Sequence, residues 1–173
     1  NTRAMYFFDS LKGIAINYSG EIYMTQNGGI TWAIQYKNPI DDQPFFQIYF
    51  TDSNTGYVVG GSNSCGGTGC IPPGGIILKT TDGGTTWTKI YEMGKAEIVS
   101  ICSNSTGDLF IVSNGTKGRI ARSNNGGSIW TVTDSTSFQL NKILFRDNFG
   151  FCTGMKGNIL RTDNNGDSWK SIA

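Results

Sequence analysis

Four short stretches combine glycine, a short acidic or amide side chain and hydroxyl groups, which is the equipment of an anion-binding loop. They read MTQNGGITW at 24–32, KTTDGGTTW at 79–87, RSNNGGSIW at 122–130 and RTDNNGDSW at 161–169. Three of them open on a cation, Lys79, Arg122 or Arg161, which would complement a bound phosphate or carboxylate. The competing chemistry is a tight hairpin turn. Asn or Asp accepts backbone N–H bonds two residues on, glycine supplies positive φ, and the tryptophan that follows belongs to the core.

The recurrence decides between the two. In register, the third position is Asn27, Asp82, Asn125 or Asn164, the fifth is Gly29, Gly84, Gly127 or Gly166, and the eighth is Trp32, Trp87, Trp130 or Trp169. These are all the tryptophans in the chain, at intervals of 55, 43 and 39 residues. A ligand loop occurs once, whereas a structural unit occurs once per repeat, and spacings of this size mark propellers or solenoids. The turn reading therefore wins, with each Trp expected to open the returning strand and to be buried.

Upstream of each turn lies a second pattern, a short apolar strand, a polar turn and another β-rich strand: FFDSLKGIAI, YFTDSNTGYVV, LFRDNFGFCT and the looser ICSNSTGDLFIV. No segment holds a 3.6-residue apolar period, and glycine is too frequent for helix. The chain is therefore expected to be all-β, a single domain of four four-stranded antiparallel meanders over about 5–36, 46–91, 97–133 and 140–172. Such meanders are β-propeller blades. The count leaves open a four-bladed ring, part of a larger propeller, or a homo-oligomer.

The box Thr80-Thr81-Asp82-Gly83-Gly84-Thr85-Thr86-Trp87 matches the Asp-box (BNR) pattern S/T-x-D-x-G-x-T-W, and the other three are close variants. The longer unit resembles the YCF48-like repeat of the photosystem II assembly and stability factor. That resemblance covers nearly the whole chain and implies a propeller, extracytoplasmic use and a role in binding or assembly. It also implies a basic patch at Lys79, Arg122 and Arg161, from which Met24 departs. The alternative is that these long side chains cover apolar blade surface with their charges in water.

Composition narrows the chemistry further. A formal net charge of +1 provides no broad footprint for nucleic acid. No apolar run approaches the ~20 residues of a membrane span. With no histidine there is no Ser-His-Asp or Cys-His set and no imidazole base. Phosphate-loop and dinucleotide patterns are absent too, so no cofactor is expected. A carboxylate pair for glycoside cleavage is the enzymatic alternative, with 13 Asp and Glu to draw on. Cys65 and Cys70 bracket CGGTGC, a loop pliant enough for a disulfide or else a pair of free thiols, while two cysteines cannot close a zinc tetrahedron. The disulfide would place the protein outside the cytoplasm.

In a meander, successive loops alternate between the two ends of the sheet. The boxes share an end with the first-to-second turns. The opposite end receives both loop expansions, KNPIDDQPF at 37–45 and GSNSCGGTGCIPPGG at 61–75. One-sided insertions mark binding faces. Asp41, Asp42, Phe45, Pro72 and Pro73 are thus the expected contacts for a protein or surface glycan, unless these are merely tolerated loops. An architectural role within a larger surface protein is the remaining reading.

Overall fold

The computed structural model describes residues 1–39, 43–62 and 74–173. It contains sixteen strands: β1 Thr2–Phe7, β2 Gly13–Asn17, β3 Glu21–Thr25, β4 Ala33–Lys37, β5 Phe45–Phe50, β6 Gly56–Ser62, β7 Gly74–Thr80, β8 Thr88–Met93, β9 Glu97–Ser103, β10 Leu109–Asn114, β11 Gly118–Ser123, β12 Thr131–Thr136, β13 Leu140–Arg146, β14 Phe149–Gly154, β15 Ile159–Thr162 and β16 Lys170–Ser171. They form four antiparallel sheets, each four consecutive strands in simple meander order. A 3-10 turn, Met155–Gly157, is the one helical element among the described residues. No helix among them is long and apolar enough to cross a membrane.

The chain divides into two compact units, Asn1–Lys95 and Ala96–Ala173, with two sheets in each. In the first unit, Ile14, Ile16, Ile22 and Met24 of the first sheet pack against Phe50, Val58, Ile76, Leu78 and Trp87 of the second. These positions alternate along their strands, so one face of each sheet enters the shared core. The second unit is built in the same manner around Phe110, Val112, Ile120, Ile143, Cys152 and Leu160.

One device recurs in three sheets. A phenylalanine at or next to the end of the first strand pairs across the ladder with a glycine at or next to the start of the second: Phe7 with Gly13, Phe50 with Gly56, Phe145 with Gly150. The ring lies on the glycine, where an added Cβ would stand 2.4 to 2.8 Å from it. The aromatic thereby covers backbone that no side chain shields. The box tryptophan then meets the same ring edge-on, at 6.1 Å in Phe7–Trp32, 6.2 Å in Phe50–Trp87 and 5.8 Å in Phe145–Trp169. In the third sheet Ser103 and Leu109 occupy the paired positions, which is why its upstream pattern is the looser one.

Two expectations about the tryptophans need correction. Each returning strand begins one residue after the Trp, because the indole N–H turns back onto the box. It donates to the carbonyl of Gly29, Gly84 or Gly127 at 2.9 to 3.1 Å, and Trp169 alone finds no acceptor. Only Trp87 is buried, at 8 % exposure, while Trp32, Trp130 and Trp169 are half-buried. Trp87 faces the first sheet and joins the core, but Trp32 lies on the face of the first sheet turned away from the second.

Candidate functional site

The box turns consume their own polar groups. The hydroxyl at the first position, Thr25, Thr80, Ser123 or Thr162, accepts the N–H of the fifth-position glycine at 2.9 to 3.1 Å. The third-position oxygen of Asn27, Asp82, Asn125 or Asn164 accepts the N–H four residues on, at 2.9 to 3.1 Å. In three of the boxes a further N–H reaches the neighbouring turn: Gly28 donates to Leu11, Gly83 to Asn54 and Asn165 to Asn148. Boxes and first-to-second turns therefore share one end of each sheet, as the meander requires. Donors committed in this way cannot cradle an anion, so the boxes are structural.

The basic positions before the boxes lie over aromatic rings. Lys79 Nζ is 5.6 Å from the centre of Tyr57, the Arg122 guanidinium is 5.8 Å from Phe110, and that of Arg161 is 5.2 Å from Phe149. Arg122 is further held between Asp108 and Asp167. Partial burial works against the Asp108 carboxylate, but bonds from Arg122 and Thr106 outweigh it and keep its pKa below the usual range. The same Asp108 bond raises the pKa of Arg122. Met24, the departure in the first box, sits in the core. These side chains cover blade surface and tie turns together.

Of the contacts expected at the opposite end, Asp41, Asp42, Pro72 and Pro73 lie outside the described residues, as do Cys65 and Cys70. Phe45 is not a surface contact. It is fully buried in β5 beside Tyr36: strict alternation from Ile48 and Phe50 would leave it on the other face, but the register shift between Phe45 and Gln47 turns it into the first unit's core.

The same end of the second unit carries a site the loop lengths did not suggest. A cleft of about 580 Å³ opens among the β10–β11 turn, the β12–β13 connection and the β14–β15 turn, lined by Lys117, Phe138, Gln139, Met155, Lys156 and Asn158. Its walls are fixed. Met155 N–H donates to the Gln139 carbonyl at 2.9 Å, and Asn158 donates through its amide to Met155 at 2.8 Å. Close by, the Asn114 amide donates to Leu140 while accepting its N–H, at 2.7 and 2.9 Å. The Phe138 ring covers Gly154, where a Cβ would stand 2.7 Å away.

Lys117 and Lys156 are exposed, and among the described residues no carboxylate lines the cleft. Lys156 sits in the left-handed region at φ 60°, a conformation uncommon outside glycine, Asn and Asp. A sequence signal for this site does exist. Gly115-Thr116-Lys117-Gly118 and Gly154-Met155-Lys156-Gly157 both read G-x-K-G, and both lysines stand six residues ahead of their box. The motif is short and sits in turns without expansion, which is why it escapes a search for insertions.

No family model matches the chain, and no curated protein matches it in sequence. Solved structures match it as a fold. The GH74 enzyme of Niastella koreensis superposes with a TM-score of 0.69 at 18% identity over 94% of this chain, and an ancestral GH74 enzyme with 0.73 at 18% over 99%. YCF48 from Cyanidioschyzon merolae gives 0.66 at 18% identity over 99%. The chain spans 28% and 24% of the two GH74 structures and 56% of YCF48. The four sheets are thus blades of the β-propeller type, an architecture shared by enzymes and by proteins of other function.

Proposed function

We propose that this chain is a non-catalytic binding module. Its recognition surface is the end of the blades opposite the boxes, and its partner is a protein presenting acidic side chains. The observation that carries this reading is the cleft between the third and fourth sheets, where Lys117 and Lys156 meet no acid and stand beside Phe138 and the exposed Met155. Two cations beside two apolar side chains, Phe138 and Met155, suit a segment in which Asp or Glu alternates with apolar residues.

The carboxylates support the non-catalytic assignment. Glycoside cleavage needs one carboxyl kept protonated at working pH. Asp9, Asp52 and Asp82 are instead held below the usual range by bonds from their own turns, and Glu21 by bonds from Tyr23 and Asn17. Among the described carboxylates with a resolved shift, only Glu97 is pushed up, by burial. The absence of histidine removes the common alternative proton carrier. We place the protein outside the cytoplasm on the strength of the CGGTGC pair, read as a Cys65–Cys70 disulfide.

The test uses the whole chain and two fluorescent peptides, one alternating Glu with Leu and one alternating Lys with Leu. The acidic peptide is expected to bind, and added salt to weaken it. The double variant Lys117→Glu, Lys156→Glu should lose roughly tenfold or more in affinity with an unchanged melting temperature. Equal binding of both peptides, or full affinity in the double variant, would overturn the assignment. So would turnover of a glycan panel that is abolished by changing one carboxylate.

A further inference from the structure

Within each unit, neighbouring sheets pack by one rule. The face carrying the phenylalanine, the box Trp and the residues alternating with them is covered by the opposite face of the preceding sheet. In the first unit Phe50, Ile48, Val58, Leu78 and Trp87 receive Ile14, Ile16, Ile22 and Met24. The approach is closest at the box glycine, where a Cβ on Gly84 would stand 2.1 Å from Ile14 Cδ1. The second unit repeats this, with Gly166 against Phe110.

The first sheet presents the receiving face a second time, and no described residue of its own unit is packed on it as Ile14 and Met24 are on the second sheet. Ladder register makes Phe7, Met5, Ala15, Tyr23 and Trp32 the equivalents of Phe50, Ile48, Val58, Leu78 and Trp87. Met5 is 62% exposed and Phe7 43%, and Met5, Ala15, Tyr23 and Trp32 line an open hollow of about 370 Å³. Gly29, the equivalent of Gly84, has nothing nearer its Cβ position than its own Trp32 at 3.7 Å.

The fourth sheet presents the matching covering face. Phe151 pairs with Arg161 as Ile14 pairs with Met24 and Phe110 with Arg122, and Ile159 stands where Ile22 does. Leu144, opposite Phe151 on the same face, is 48% exposed. Sheets of this kind leave such apolar faces covered, since an exposed contiguous patch favours association.

We propose that the outer face of the first sheet docks the outer face of the fourth sheet of a second copy of this chain, head to tail. The occupant follows from the packing rule, because this chain itself carries the face that fits. The contact is heterologous: one copy contributes the Met5 side and the other the Leu144 side. It is independent of the lysine cleft, and loss of peptide binding would leave it standing.

Mass in solution tests it. The wild-type chain should exceed its 18.8 kDa and rise in mass with concentration. Met5→Glu and Leu144→Glu each replace an exposed side chain, so both variants should fold, and each alone should be monomeric. Mixing them should restore a 1:1 pair, because one variant keeps a sound fourth-sheet face and the other a sound first-sheet face. A wild-type chain that stays monomeric, or variants that keep the wild-type mass, would overturn the proposal. Failure of the mixture to pair would do so as well, since a symmetric contact would then be the one in use.

Discussion

Asp82 is the one carboxylate among the four third-position box residues; the other turns use Asn. Thr86 bonds it twice, through its hydroxyl at 2.6 Å and its N–H at 2.9 Å, and Thr80 adds a third bond at 2.8 Å. The Thr86 bonds, hydroxyl first, hold its pKa at about 2 against a usual 3.8. Because the folded value lies below the unfolded one, the stabilisation is complete above the unfolded pKa and is lost as pH falls from near 4 toward 2. Asn27 makes the equivalent bonds uncharged, to the N–H of Thr31 at 2.9 Å and from its own amide to the Thr31 hydroxyl at 2.8 Å. Asp82→Asn should therefore retain the fold and lose part of the acid sensitivity. Melting curves between pH 6 and pH 2 decide this, and wild-type and variant curves that stay parallel would refute it.

At the scale of elements, the boxes do two separable things. They turn the chain, which requires positive φ at Gly29 and Gly166, 86° and 88°. They also let the neighbouring sheet approach. Gly29→Ala meets only the backbone cost, about 1 kcal/mol. Gly166→Ala adds a methyl 2.4 Å from Phe110 Cε1, in a ring buried against Phe145 at 4.6 Å between centres. Overpacking of that kind brings its cost to roughly 2–4 kcal/mol. Urea unfolding of the two variants should separate them by this margin, and equal losses would mean that the inter-sheet contact yields freely. The turns and strands were legible in the sequence because Asx-Gly chemistry and the alternation of apolar residues act locally. The distinction between Gly29 and Gly166 was not, since the two differ only in what lies across from them.

Across the whole molecule, the two buried cysteines and the proposed Cys65–Cys70 bond give one joint prediction. Cys102 and Cys152 are buried, and burial pushes both thiols up to about 12. Their thiolate fraction at neutral pH is negligible, and the thiolate is the reacting form. If Cys65 and Cys70 are bonded to each other as proposed, the folded chain should show no reactive thiol. Two should appear in denaturant without reductant and four with it. Four without reductant would refute the bond and the compartment drawn from it.

The sequence by itself determined the number of sheets, the order of their strands and the chemistry of every box, because these follow from spacings and from bonds that span a few residues. It also placed Lys79, Arg122 and Arg161 ahead of the boxes, but not what they touch. Only the tertiary structure decided that Arg122 lies between Asp108 and Asp167, that Phe45 is core, and that Trp87 alone among four equivalent tryptophans is buried. It alone brought Lys117 and Lys156 to one cleft from turns 39 residues apart. Each of these depends on which sheet face meets another. A repeated sequence writes the same residues at every position, and the difference between them arises only from what packs alongside.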